Sequence, residues 1–348
     1  MRDHAKTVVL NCLPGDPLGE AFPELGCVVY SFAEARMRGL LQDAAIVVSD
    51  FRNMAKNVRI AMRVGRATTA ARVCHVYWNR EGPSHFGEKR WRLSVLGHCS
   101  GMDAYATHTL QDCGGFAGDV LYLPNAARPE YLRMNDIPLE TLRDPRRYRY
   151  DVSFFGNLDA ARYPEMRPRV DFLTALAARL ARAGIALEVR PTPPAIADQV
   201  ALIQQSRINL SVQTGADNRF RRNAQYRPHG WGLPERCFGI PAAGGFLLSD
   251  WRLHAADDFL PGTEWVSFSD LDHCVECVRY YLSHFDQSRS IAEAARRRVV
   301  AQHSYVHRAQ KLLAYANAWR VARGIASTRH AAQAEPTRDR SVAIPNVS

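Results

Sequence analysis

Short apolar runs alternate with stretches of helical period from the start of the chain, and this alternation predicts strands joined by crossover helices in a parallel sheet. In the first half the predicted strands fall at residues 7–10, 27–31, 45–49, 72–77, 104–107 and 120–123, with helices at 32–42 and 52–65 between them. Residues 1–132 therefore read as one doubly wound Rossmann-like domain, closing near Pro124 and Asn125. Residues 133–150, RMNDIPLETLRDPRRYRY, keep neither period and are rich in Pro and Arg, so they read as a linker. The basic cluster of Arg143, Arg146, Arg147 and Arg149 reads as a solvated hinge, with an anion-contacting role as the alternative.

A second alternating series follows in residues 151–304. Strands are expected at 152–155, 186–189, 208–212, 246–248 and 265–268, and helices at 167–183 and 200–205. Beyond Asp270 the pattern is wholly helical, through 274–283, 291–302 and 305–322. Residues from Ile325 onward are polar, Ala-rich and Pro-containing, and are expected to be disordered. The expected fold class is α/β, with two doubly wound lobes facing a cleft and helices at the C-terminus.

Composition narrows the partners. The 348 residues are 47% apolar and 23% charged, as in an ordinary globular chain, with a formal charge of +10 that favours anionic ligands. The eight cysteines lack the regular spacing of a disulfide framework and read as reduced. The N-terminal apolar run is too short for a signal peptide, and no segment approaches membrane-spanning length. A cytoplasmic protein is expected. Nucleic-acid binding would use the charge, but no helix-turn-helix, zinc or RRM pattern supports it. Peripheral contact with a membrane stays open.

Chemistry concentrates in Gly232 to Asp250, GLPERCFGIPAAGGFLLSD: a polar entry, a short apolar helix, a glycine pair and a strand. A helix start there offers unpaired amides to an anion. Arg236 suits phosphate oxygens, and Glu235 could accept from ribose hydroxyls or simply favour the helix dipole. Phe238 is a candidate to line the same ligand, although an aromatic there more often packs than stacks. Gly244 and Gly245 would let backbone approach it closely. Earlier, Gly156 and Asn157 end a buried strand and form either a tight loop under a diphosphate or an ordinary turn. Arg222, in a loop of arginines and aromatics at 217–229, is a further candidate.

Other signals carry less. Asp270 and Asp272 form a DxD pair, but Asp270 opens a helix, where it is a good N-cap. Cys274 and Cys277 form a lone CxxC, and His303 with His307 lacks the glutamate of HExxH. No metal ligand set is expected. GxGxxG and P-loop patterns are both absent, which weakens a nicotinamide dehydrogenase or a nucleotide triphosphatase.

RCFGIPAAGGFLLSD at 236–250, DDFLPGTEWVSFSDLDHCVECVRYYLSH at 257–284 and IAEAARRRVVAQHSYVHRAQKLL at 291–313 together resemble the carboxyl half of group-1 glycosyltransferases of the CgeB-like spore-maturation type. The similarity spans roughly 151–313 and is weak in the first half. It implies a GT-B fold and a nucleotide-sugar donor held mainly by the second lobe. The acceptor would lie on the first lobe, metal would be dispensable, and the helix from Tyr305 would return to brace that lobe. Relatives often carry Glu, typically at the donor ribose, where this chain has Gly239; another frequent Glu is here Trp231.

The resemblance implies glycosyl transfer to a hydroxyl acceptor, a glycan, a lipid-linked molecule or a cell-envelope component. Charge on the departing diphosphate would be met by Arg236 and by backbone near Gly156, Gly244 and Gly245. An inverting reaction needs a base, for which Asp50 and His108, at predicted strand ends, are the candidates. The missing Glu motivates a second reading, a GT-B-shaped protein that binds nucleotide or sugar without turnover.

Overall fold

The computed structural model describes residues 6–80, 90–110, 118–133, 137–193, 195–213 and 232–325. The loop carrying Arg222, the position of Trp231 and the tail at 326–348 lie outside the described residues.

The first lobe contains β1 (Lys6–Asn11), α1 (Leu18–Glu24), β2 (Cys27–Ser31), α2 (Phe32–Met37), β3 (Ala44–Asp50), α3 (Phe51–Lys56), α4 (Val58–Ala70), β4 (His75–Asn79), α5 (Arg90–Cys99), β5 (Ala104–Thr107) and β6 (Asp119–Tyr122); α6 (Pro129–Arg133) follows them and packs on the second lobe. The second contains β7 (Tyr150–Phe155), α7 (Arg167–Arg182), β8 (Leu187–Arg190), α8 (Ile196–Gln204), β9 (Ser206–Ser211), α9 (Glu235–Ala242), β10 (Leu247–Asp250), α10 (Ala255–Asp258), β11 (Val266–Phe268), α11 (Leu271–Ser283) and α12 (Phe285–Gln302). The last helix, α13 (Tyr305–Ala322), follows.

All strand pairs are parallel, in the orders β2-β1-β3-β4-β5-β6 and β11-β10-β9-β7-β8. The two-sheet α/β architecture expected from the alternation is the one observed. In each sheet the chain first steps one way and then crosses back, so the order reverses between β1 and β3 and between β7 and β9. Ligands of open parallel sheets sit at such reversals, outside the carboxyl ends of the strands.

Burial on both faces explains the nearly continuous apolar strands. In the first sheet Val8, Leu10, Ile46, Val48, Val76 and Trp78 join one core, whereas Val9, Val47 and Tyr77 point into cores on the other face. The first of these cores is closed by α13, whose Tyr305, Ala309, Leu312 and Ala316 recur at helical spacing and pack with α1 against the sheet. The larger of these side chains contribute about 1.5–3 kcal/mol each on burial, so the last helix is part of the first lobe's core.

Fully buried Arg308 fastens the two places where the chain crosses between lobes. Its Nε donates to the Pro124 carbonyl at 2.9 Å, Nη2 to that of Asn125 at 2.8 Å and Nη1 to that of Gln302 at 3.1 Å. Beside it the Ala127 amide donates to the His303 carbonyl at 2.8 Å.

Several predicted elements differ in extent: α8, α11 and α12 begin earlier than expected, and three elements of the first lobe differ for a visible backbone reason. The helix expected at 32–42 stops at Met37, because Gly39 turns the chain at φ +68°. The one at 52–65 divides into α3 and α4 at Asn57, which leaves the helical region at φ −125° and ψ 65°. The strand expected from Arg72 begins at His75, since Arg72 adopts φ +52° as it leaves the preceding helix.

Candidate functional site

A cavity of about 460 Å³ opens at the reversal of the second sheet, lined by Gly156 and Asn157 after β7, Thr192 and Ile196 beyond β8, Glu235 and Arg236 at the start of α9, and Arg128 and Tyr131 around α6. The chain places these residues together by a simple rule. A strand's carboxyl end and the N-terminus of the helix that follows a neighbouring strand meet at one edge of a parallel sheet. Arg169, a buried residue of α7, ties that edge by donating to the Val212 carbonyl at 2.7 Å and the Asn157 carbonyl at 3.0 Å.

No side chain caps α9, whose N-cap is Pro234; the Cys237 amide donates back to the Pro234 carbonyl at 2.9 Å, and the two amides ahead of it, of Glu235 and Arg236, face the ligand side of the helix start. Arg236 bends back over the end of β7. Its Nη1 donates to the Phe155 carbonyl, and its guanidinium carbon lies 4.9 Å from the centre of the Phe154 ring. The Nε is buried with no hydrogen-bond partner, and no carboxylate pairs with the cation among the described residues. Burial pulls the Arg236 pKa below its usual value, with Cys237, Asp250 and Tyr131 opposing. A cation desolvated without a counter-ion stands to gain from a bound anion.

Gly156 permits this arrangement by lacking a side chain. A Cβ there would come within 2.7 Å of Arg236 Nη1 and of the Phe154 ring. Gly156, Asn157 and Arg236 are thus brought together at one cavity, along with Glu235.

Glu235 has partners already. Arg128 Nε donates to one oxygen at 2.7 Å and the Tyr305 hydroxyl to the other at 2.7 Å. Burial lowers the pKa of Arg128, but the Glu235 carboxylate more than offsets this and holds it above the usual value. The carboxylate read as a ribose acceptor is, in this structure, the joint between α9, the segment before α6 and α13.

Three other candidate donor residues lie away from the cavity. Phe238 is fully buried, 5.6 Å from Phe259 and 5.4 Å from His303 between ring centres, so it packs in the core. Gly244 and Gly245 lie at the far end of α9, where the crossover helix has returned to the amino edge of the sheet. Gly244, at φ +83°, abuts Leu142 and Leu139; Gly245 abuts Ile203 and Asn209. Neither glycine lines the cavity.

The two candidate bases lie apart from this cavity and make framework contacts. Asp50 caps α3, accepting from the Asn53 amide at 2.7 Å. His108 is buried beneath Gly232, where a Cβ would come within 2.4 Å of the His108 carbonyl oxygen, and its Nδ1 accepts from Asn125 at 3.3 Å. Neither lines the cavity.

The residues given less weight have structural roles. Asp270 caps α11 through the His273 amide at 2.9 Å, and Asp272 pairs with Arg179. Cys274 is buried in the core of the second lobe. His303 takes a hydrogen bond from Arg308 at 2.8 Å, and His307 completes the capping box of α13. Among the described residues no group of His, Cys, Asp and Glu is arranged to hold a metal ion.

Sequence reasoning missed Arg128, Tyr131 and Gln199. Tyr131 donates to Gln199 Oε1, whose amide nitrogen donates to the Pro193 carbonyl at 2.8 Å, and both side chains line the cavity. Tyr131 also fills the space beside Gly239, where a Cβ would meet its ring at 2.9 Å. No periodicity marks these residues; they reach the site from segments distant in sequence.

Comparison with known proteins gives a family and a fold. A family model described as glycosyl transferase-like matches residues 139–314. No curated protein matches the chain by sequence. A glycosyltransferase from Rickettsia africae superposes with a TM-score of 0.52 at 11% identity, covering 90% of this chain and 98% of that one. HepE from Anabaena, solved with UDP-glucose, gives 0.54 at 10% identity, over 90% and 99%. Sucrose-phosphate synthase from Thermosynechococcus elongatus gives 0.55 at 10% identity, over 92% and 100%. The shared architecture of two parallel-sheet α/β lobes is that of GT-B glycosyltransferases.

Proposed function

The chain belongs to the glycosyl transferase-like family, and from that premise we propose that it moves a sugar from a nucleoside diphosphate sugar to a hydroxyl acceptor. The ordered motifs of its second half favour the CgeB-like subgroup. In this reading the second lobe holds the donor and the first lobe the acceptor, a glycan, a lipid-linked molecule or a cell-envelope component. HepE was solved with UDP-glucose, so uridine diphosphate sugars are the first donors to test.

One observation carries the reading. Arg236 is a cation with a buried, unpartnered Nε and no ion pair among the described residues, and it sits at the uncapped start of α9 beside a cavity at the sheet's reversal. Donors already aimed where negative charge develops stabilise the transition state without reorganising during the reaction. Arg236 and the leading amides of α9 would meet the departing diphosphate, and the Gly156 turn would let it approach. The reading includes metal-independent transfer, because these groups can take the charge and the carboxylates of the DxD pair are committed to a helix cap and to Arg179. A cytoplasmic location goes with it, since the seven described cysteines are free thiols.

A thermal-shift and calorimetric panel of UDP, GDP, dTDP and their sugars tests the donor half. Stabilisation by one nucleotide family, followed by release of its diphosphate when an acceptor is supplied and unchanged by a chelator, is the expected result. Indifference to every nucleotide would defeat the proposal. Binding with no release under any acceptor would favour the second reading, a sugar-nucleotide-binding protein without turnover, which the commitment of Glu235 to Arg128 and Tyr305 also suits.

A further inference from the structure

Four arginines of the first lobe, Arg36 on α2 and Arg59, Arg63 and Arg66 on α4, surround a surface hollow of about 520 Å³ together with Met62 and Ala67. The three on α4 fall at i, i+4 and i+7 and form one stripe on the exposed face of a helix whose opposite face buries Ala61, Val64 and Thr68. None of the four side chains makes a hydrogen bond or ion pair among the described residues. The nearest acid in sequence, Glu34, is held by Ser31 in the capping box of α2. Like charges are therefore gathered at one place without internal compensation.

Apolar side chains stand exposed beside them. Met37, next to Arg36 in sequence, is 81% exposed, and Ile60, which follows Arg59 and flanks the arginine stripe on α4, is 43% exposed. We propose that this face of the first lobe docks on an anionic lipid surface, with the arginines on the headgroups and Met37 and Ile60 reaching into the interface. Each basic residue near such a surface strengthens binding by about fivefold, and exposed apolar groups add to it. A nucleic acid fits the hollow less well, because no aromatic side chain lines it for base stacking.

Docking would also place the proposed acceptor lobe suitably. Helix α2 leaves the carboxyl end of β2 directly, and α4 follows the carboxyl end of β3 after one short helix. The stripe thus begins at the sheet edge where ligands are expected. The surface goes beyond the donor reading and does not depend on it, since lipid binding is read with no nucleotide or sugar present.

Sedimentation of the full chain with vesicles of phosphatidylcholine alone, or mixed with phosphatidylglycerol, tests the proposal. The expected result is binding to the mixed vesicles only, released by high salt. The triple variant Arg59→Gln, Arg63→Gln, Arg66→Gln should partition roughly a hundredfold more weakly, with an unchanged melting temperature because all three side chains are exposed. The corresponding triple Lys variant should bind like the parent, and Met37→Ser should weaken binding without removing its salt dependence. Equal binding of the parent to neutral and anionic vesicles, or parental binding by the Gln variant, would overturn the proposal. So would capture of duplex DNA through these arginines by a protein that ignores the vesicles. If the Gln triple fails to fold, the Arg36→Gln, Arg59→Gln pair is read by the same criteria, with roughly a tenfold or greater loss expected.

Discussion

The Tyr305 hydroxyl donates to Glu235 at 2.7 Å, which joins the first residue of α13 to the first residue of α9 and so links the first lobe's core to the cavity proposed for the donor. Arg80 extends the chain of contacts, donating to the Tyr305 oxygen at 3.4 Å and pairing with Asp16. Tyr305→Phe and Glu235→Gln should each cost about 1–3 kcal/mol, and the double variant should show a coupling of about 0.5–3 kcal/mol in chemical denaturation. If Glu235 acts on the framework, as its partners indicate, Glu235→Gln leaves affinity for UDP near the parent value. A selective loss of affinity for ribonucleotides over deoxyribonucleotides would return the ribose role to it.

Arg236→Ala should weaken binding of a nucleoside diphosphate by about 1.5–3 kcal/mol, the range for a hydrogen bond to a charged group, and should weaken a nucleoside less. Arg236→Lys should recover little of this, because an ammonium cannot bind phosphate oxygens bidentately or lie flat over Phe154. Gly156→Ala is expected to act through the same residue, since its Cβ would arrive 2.7 Å from the guanidinium. Calorimetry on the three variants decides the matter; an unchanged diphosphate affinity in Arg236→Ala removes the residue from the site.

Gly239 and Tyr131 are a matched pair. Gly239→Ala should destabilise the protein by about 1–3 kcal/mol, the usual cost of overpacking, because the new carbon would lie 2.9 Å from the Tyr131 ring. Combining it with Tyr131→Leu should recover part of the loss. Additive losses in thermal melts would show that the clash is not with this ring.

Burial raises the Asp258 pKa to about 7, against the opposing effects of the Arg308 charge and the Tyr122 hydrogen bond. A carboxyl with a raised folded-state pKa contributes stability below its unfolded value, near 3.8, and loses it as pH rises through about 7. Asp258→Asn, which keeps an acceptor for Tyr122, should therefore gain stability relative to the parent between about pH 4 and 7. The buried His303 ring lies 4.0 Å from the Asp258 carboxyl and has its pKa lowered to about 3, which destabilises the fold on the acid side, so a His303→Gln variant alone and combined with Asp258→Asn separates the two contributions. A stability difference that does not vary with pH would contradict the assignment.

The succession of strands and helices was legible because each element's burial is written in its own period, and Arg236 and Gly156 were legible because strand ends and helix starts in a parallel sheet share one edge. The sequence alone could not show that Gly244 and Gly245 lie at the opposite edge, because a glycine pair looks the same at either end of a crossover. It also could not show that Glu235 is already engaged or that Tyr131 fills the space beside Gly239. Those facts depend on α6 and α13 arriving from distant parts of the chain, and local pattern carries no record of which segments meet across an interface. Local sequence thus determined the two-lobed α/β architecture and the corner where Gly156 and Asn157 meet the start of α9. Tertiary packing decided which of the corner's side chains remain available to a ligand, because a charged group's availability depends on every partner within hydrogen-bond reach and not on its neighbours along the chain.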